Sequence, residues 1–384
     1  MSSTELPQGM AENSIPLLLG HPAPATLLIP ELQQAMQRFI SAPQYAMALQ
    51  YGPEQGTRSL IDFLVEKIRR AQALTISSRN VMVVAGSTHA VDMLSRLYVK
   101  PGGVILVEAP TYVDALHIFR DHSIKLCAVP MDDNGLIPAA LEEQVTKLYV
   151  AGKHPGMLYT IPNFHNPTGR TLSEARRREI IELAHRYGFL IVEDDVYRDL
   201  SFEGNVPASF YALANGEQAV SIGSFSKTLA PGLRLGWLVA SEKIIQECVN
   251  CGTTQMGGGA NPFVASMVAE YCRSGDWEKH IEYVRPLYKL RRDAALAALD
   301  NYMPAGVTWT RPAGGFFLWL TLPDNIFAQD VKRLAFHNGV SVAAGDGFFV
   351  NPADGTHNLR LAYSCASLND IDMGIRILAH VIEP

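Results

Sequence analysis

The sequence predicts an α/β protein: an open, mostly parallel sheet covered by helices on both faces, followed by a smaller α+β unit. Three observations predict it. Short, continuously apolar runs recur between Asn80 and Val239, for example residues 80–85 (NVMVVA). Such strands are buried on both faces, as in a parallel sheet. Segments with helical patterning alternate with them, as crossovers between parallel strands require. After about Pro262 the alternation stops.

Each element follows in chain order. Residues 1–45 are proline-rich and irregular, with a short helical pattern over 30–39. Strands are expected at 80–85, 104–107, 125–129, 157–161, 189–192, 219–222 and 235–239. Helices are expected at 87–99, 112–121, 136–149 and, strongly charged, 173–187. Beyond them a helical region runs from Pro262 to about Tyr302, with a break expected at Pro286, because proline removes a helical hydrogen bond. Strands at 307–310 and 315–321, a helix, a short strand near 340–342 and a final helix from Leu368 complete the chain. The expected organisation is an N-terminal segment (1–45) packing with the small domain, a large domain (46–285) and a small C-terminal domain (286–384).

Bulk properties exclude several classes. The 384 residues are 48% hydrophobic and 18% charged, with a formal net charge of −6. That balance carries no basic footprint for nucleic acid or an acidic membrane surface. No apolar run approaches the ~20 residues of a membrane span. Met1 to Glu5 lacks the basic and apolar regions of a secretory leader. Cys127, Cys248, Cys251, Cys272 and Cys365 are odd in number and scattered, which points to reduced thiols and a cytoplasmic setting. Cys248 and Cys251 form a C-x-x-C with no second pair or nearby histidine, so no metal site is expected.

The most informative segment is Ser224-Phe225-Ser226-Lys227-Thr228, with Arg234 seven positions after the lysine. A lysine at the end of a buried strand is costly unless its amine is used. Desolvation and a nearby cation favour the neutral amine that a Schiff base requires. The serine hydroxyls and Arg234 are suited to clamp a phosphate dianion. Lysine plus phosphate clamp points to pyridoxal 5′-phosphate (PLP), whose aldehyde and phosphate need both groups close together.

Ligands of parallel α/β sheets bind beyond the carboxyl ends of the strands, so the residue after each strand matters. Gly86-Ser87-Thr88 opens a helix whose free N–H groups suit an anion, although Ser87 as a plain N-cap is equally open. Tyr112 is placed to stack on a flat ring or to serve as a core aromatic. Asn166, in the turn Asn166-Pro167-Thr168-Gly169, can point a donor into the site. Glu193-Asp194-Asp195 puts three carboxylates at one strand end, which calls for a cationic partner such as a pyridinium nitrogen.

With these motifs in place (N-P-x-G at Asn166, D-x-x-Y at Asp194, S-x-S-K at Lys227 with arginine seven residues on), the chain resembles the PLP-dependent aminotransferases of fold type I, class I/II. The resemblance runs from about Gly20 to the C-terminus and implies an aspartate-aminotransferase-like fold. It implies that Lys227 forms the Schiff base and shuttles the proton. Asp194 pairs with the pyridine nitrogen, selected over Asp195 by D-x-x-Y. Tyr197 and Asn166 bond the ring hydroxyl, and Tyr112 stacks on the ring. Ser87, Thr88, Ser224, Ser226 and Arg234 bind the phosphate. Tyr51 reaches the phosphate of a neighbouring subunit, implying a homodimer with shared active sites. Arg360 grips the substrate α-carboxylate, with Asn166 and the Gly20 backbone close to the substrate. His89 is read as a helix-face residue and His165 as a neighbour of Asn166.

Residues 306–317 and 345–349 are most similar to the 2-aminoadipate/kynurenine-type, broad-specificity members. The glycine run Gly257-Gly258-Gly259 departs from that pattern; a structural turn is favoured, with room for a bulky substrate or a mobile loop left open as alternatives. The expected activity is amino-group transfer between an α-amino acid and a 2-oxo acid. The fold also hosts PLP-dependent lyases, replacement enzymes and cyclases, which the cofactor residues do not separate from a transaminase. A non-catalytic, regulator-like PLP domain is disfavoured by the short stretch before Gly20 and by the intact lysine, aspartate and arginine.

Overall fold

The computed structural model describes residues 14–383. Residues 1–13, and with them the leader reading of Met1 to Glu5, lie outside the described residues.

An eight-stranded sheet forms the centre. Its spatial order is Val81–Val84, Gly236–Val239, Ala219–Ser224, Leu190–Asp194, Pro155–Thr160, Val104–Ala109, Lys125–Asp132 and Gly135–Leu136. From Ala219–Ser224 to Lys125–Asp132 every pairing is parallel. Strand Gly236–Val239 runs against both of its neighbours. Every residue of Val81–Val84, Ala219–Ser224 and Gly236–Val239 is buried, Ser221 and Ser224 included, as strands covered on both faces require.

That one reversed strand positions the site. Gly236 pairs with Ser224 on one side and Val84 on the other. The entry to this strand, carrying Arg234, therefore lies beside the exits carrying Ser224 and Ser87. Asp194 pairs with Ile222, so the acidic strand end flanks the lysine strand.

A second sheet is antiparallel: Thr308–Trp309, Phe317–Thr321, Asn358–Ala362 and Ala343–Ala344. Ile15–Pro16 pairs in parallel with Val340–Ser341, and Ile15 and Leu17 bury against the same core as Ile371, Ile375 and Leu378. Helix Pro30–Ser41 goes elsewhere. Its Phe39 meets Phe263 edge-on at 5.2 Å, and Arg38 pairs with Glu270 at 3.0 Å. The N-terminal segment thus divides between the two sheets' cores instead of packing wholly with the smaller one.

The helical region after Pro262 also differs from expectation. It breaks between Pro262–Arg273 and Asp276–Tyr302, at Gly275 with φ 74°, while Pro286 lies inside an unbroken helix. A left-handed turn is natural for glycine. The proline forfeits one amide bond, but Trp277, Ile281, Val284, Tyr288, Ala295 and Leu299 anchor the helix in the core on both sides of it. This helix runs through the boundary expected at 285/286. Helices Arg58–Gln72 and Glu242–Val249 and strand Asn358–Ala362 had no counterpart in the sequence reading.

Candidate active site

A cavity of about 350 Å³ opens at the carboxyl ends of the central strands and is closed by the smaller sheet and the segment around Gly20. Lys227, Asp194, Tyr197, Ser87, Thr88, Tyr112, Asn166, Ser224, Ser226, Arg234, Arg360 and Gly20 all line it. Tyr51 does not. It is 87% exposed and lines a different cavity, of about 600 Å³, beside the glycine run. Among the described residues, no lysine and no arginine lines that larger cavity, so chemistry rather than size marks the site.

Lys227 leaves the strand Ala219–Ser224 through a tight turn in which the Ser226 N–H donates to Ser224 Oγ at 3.0 Å. Its Nζ donates to the Gly20 carbonyl at 3.1 Å. Burial, then the Arg360 guanidinium, lowers its pKa to about 8, against the pull of Asp194 and Asp114. Gly20 must be glycine here, since a Cβ would lie 2.3 Å from the Phe317 ring.

The three adjacent carboxylates separate cleanly. Glu193 accepts from the Phe210 and Tyr211 backbone N–H groups at 3.0 and 3.2 Å. Asp195 accepts from Asn163 at 2.7 Å and pairs with Arg198 at 2.9 Å. Asp194 Oδ2 accepts from the Tyr159 hydroxyl at 2.7 Å, while Oδ1 is buried and has no partner among the described residues. Burial raises the Asp194 pKa to about 6. A buried acceptor without a donor is costly, and a pyridinium N–H fits that need.

Opposite, helix Ser87–Tyr98 points its N-terminus at the cavity. Gly86, at φ 87°, lets Arg234 approach, because a Cβ there would lie 2.8 Å from the guanidinium. Free helix N–H groups, Ser224, Ser226 and a cation together fit a phosphate dianion.

Arg360 extends from Asn358–Ala362 across the cavity. It donates to Asn166 Oδ1 at 2.9 Å and to the Leu18 carbonyl at 2.6 Å, and its Nε is buried without a partner. Its guanidinium lies over the Phe317 and Phe348 rings at 4.5 and 4.7 Å. Among the described residues no carboxylate pairs with it, and burial lowers its pKa to about 10. A desolvated guanidinium of this kind favours an anionic ligand.

Several groups stay outside the cavity. His89 Nδ1 accepts the Ala85 N–H at 3.2 Å, and burial lowers its pKa. His165 Nδ1 bonds Thr168 Oγ1 at 2.9 Å; its Nε2 lies 3.1 Å from Glu108 without hydrogen-bond geometry. Burial pushes the Cys248 thiol up to about 12. In the glycine run, Gly257 takes φ 83° and a Cβ on Gly258 would lie 2.6 Å from the Thr253 carbonyl. Both glycines thus meet backbone demands, and neither touches the Lys227 cavity.

Sequence reasoning missed His21, Val113, Asp114 and Phe317, which also line the cavity. Asp114 follows Tyr112 by two residues, and that proximity was the available signal. Phe317 carried none, since only the pairing of its strand with Asn358–Ala362 brings it under Arg360.

Comparison with known proteins agrees with this geometry. Residues 15–378 match the family described as aminotransferase class I and II. Aromatic-amino-acid aminotransferase 1 of Thermococcus litoralis is 36% identical over 96% of this chain and 88% of its own. The HTH-type transcriptional regulator YisV of Bacillus subtilis is 35% identical over 87% of this chain and 67% of its own. The crystal structure of Pyrococcus horikoshii kynurenine aminotransferase, in complex with PMP, superposes with a TM-score of 0.91 at 35% identity, covering 97% of this chain and 91% of that one. No helix among the described residues is long and apolar enough to cross a membrane. With a family match across nearly its whole length, the chain belongs to the class I and II aminotransferases, PLP-dependent enzymes that move an amino group between an amino acid and a 2-oxo acid.

Proposed function

We propose that amino transfer runs through Lys227, with Asp194 as partner of the cofactor ring nitrogen, Arg360 as the α-carboxylate clamp and Ser87, Thr88, Ser224, Ser226 and Arg234 as the phosphate site. The observation that carries this reading is the unpartnered, buried Asp194 Oδ1 in the same cavity as the Lys227 amine. Bound PLP supplies an aldehyde that condenses with amines and a cationic ring that takes up electrons.

The chain's own groups do the rest. A lysine amine with its pKa near 8 is partly neutral at neutral pH, so Lys227 can react with a carbonyl and, once displaced by substrate amine, accept the proton from Cα. The Gly20 carbonyl holds Nζ between these events. With PLP bound, Asp194 would hold the ring nitrogen in its protonated form. Arg360, fixed by Asn166 and Leu18, would hold the substrate α-carboxylate. Tyr112 would cover the ring, and Tyr197 and Asn166 would bond its hydroxyl.

We propose further that the working unit is a homodimer in which Tyr51 of the partner subunit completes the phosphate site. Its exposure, and the exposure of Met47, Leu49 and Met256 nearby, supports an interface there. Relatives named for aromatic amino acids, kynurenine and 2-aminoadipate support a bulky α-amino acid, with an uncharged side chain in the first two and a carboxylate-tipped one in the third. The scattered free cysteines support a cytoplasmic setting.

The test is to incubate the PLP-loaded enzyme with single amino acids and a 2-oxo acid and identify products by mass. A 2-oxo acid matched to the amino acid consumed is expected. Ammonia release or a cyclised product instead would assign the chain to the lyase or cyclase chemistry of this fold.

A further inference from the structure

Among the described residues the cavity holds two carboxylates, and one has no part in the reading above. Asp194 faces the ring nitrogen. Asp114 is the other. It lies in the first turn of helix Val113–Asp121 and accepts a hydrogen bond from the Tyr112 hydroxyl. Among the described residues no lysine, arginine or histidine pairs with it. Its charge is nonetheless felt inside the cavity, since it favours the protonated forms of both Lys227 and Arg360. A carboxylate in the first turn of a helix gains from the helix dipole. That accounts for its tolerance on the helix, but not for its place on the cavity wall beside the ring of Tyr112.

The remaining charges can be assigned one by one. Arg234 faces the phosphate, Asp194 the ring nitrogen and Arg360 the α-carboxylate. His21, at the mouth, is disfavoured as a cation by burial and by Lys227. Asp114 is exposed and open to solvent, so it needs no protein partner; the group it would meet inside the cavity is the substrate's side chain, among the apolar walls of Val113, Ile161, Val196 and Phe317.

We propose that Asp114 is a specificity-determining residue: its carboxylate disfavours amino acids and 2-oxo acids whose side chains end in a carboxylate, and admits those with uncharged or cationic side chains. This rests on the transaminase reading, narrows its substrate class, and sets this chain apart from the relatives named for 2-aminoadipate, whose side chain ends in a carboxylate. A like-charge contact across a half-exposed cleft changes affinity by about tenfold.

The test uses two ligands that bind the PLP-loaded enzyme without reacting, glutarate and 3-phenylpropanoate, titrated spectrally. Asp114→Asn keeps an acceptor for Tyr112 and removes the charge. It is expected to raise the ratio of glutarate to 3-phenylpropanoate affinity about tenfold. The ratio of kcat/KM for glutamate over phenylalanine is expected to rise by a similar factor, mainly through KM. Tyr112→Phe breaks the hydrogen bond but keeps the charge, and is expected to shift the affinity ratio less than about twofold. An unchanged ratio in Asp114→Asn, or an equal shift in Tyr112→Phe, overturns the proposal. Turnover of phenylalanine by the unmodified enzyme tests the transaminase reading separately, because neither titrated ligand reacts.

Discussion

The two halves of the cavity are built differently. The cofactor-facing half comes from adjacent strands of one sheet, whose pairings put Asp194 beside Ile222 and Ser224 beside Gly236. The substrate-facing half is assembled from distant segments. Arg360 bonds Leu18 across 342 positions and Asn166 across 194. The first half is held by backbone hydrogen bonds that any compatible sequence would make. The second depends on individual side chains, so its specificity can change while the cofactor site stays intact.

Substitutions can break that comparison or sharpen it. The largest effect is expected at the point where the halves meet. Lys227→Ala is expected to reduce kcat by at least about 10³-fold, with loss of the absorbance of covalently held cofactor. Normal turnover with a normal spectrum would remove Lys227 from the mechanism. Arg360→Ala is expected to raise KM for amino acids about 100-fold while the cofactor dissociation constant moves little. Equal losses in both measurements would show that the halves are not separable.

A smaller effect is set by pH. Because burial lowers the Lys227 pKa to about 8, its reactive neutral fraction grows as pH rises. The rate of PLP uptake by cofactor-free enzyme is expected to increase about tenfold between about pH 7 and about pH 9. A rise of about a hundredfold over the same range would instead indicate an amine at its ordinary pKa, and would overturn the depressed value. The smallest effect is expected at the glycine run, outside the Lys227 cavity of its own subunit. Gly257→Ala places a Cβ at φ 83° and 3.2 Å from the Tyr51 ring. It is expected to cost about 1–2 kcal/mol in thermal stability. Altered substrate preference at unchanged stability would instead tie the glycine run to the substrate.

Legibility followed the same divide. The residues after each apolar run could be gathered in order because strand ends of a parallel sheet converge by construction. The choice among Glu193, Asp194 and Asp195 needed a motif in the sequence, whereas in the structure each acid has its own partners and only Asp194 keeps a free oxygen toward the cavity. Pro286 misled, because a local rule about one lost hydrogen bond was outweighed by a buried helix face on either side of it. Helix Arg58–Gln72 went unread although Leu60, Ile61, Leu64, Val65 and Ile68 form a helical stripe.

The sequence by itself determined the α/β class, the cofactor chemistry around Lys227 and the family resemblance, because these depend on local patterns of burial and on short motifs. Only the tertiary structure decided that Gly20 must lack a side chain against Phe317, that Arg360 is buried and pairs with no carboxylate among the described residues, and that Asp114 faces the cavity. Those facts depend on which distant segments come into contact, and no local pattern in a single chain encodes that.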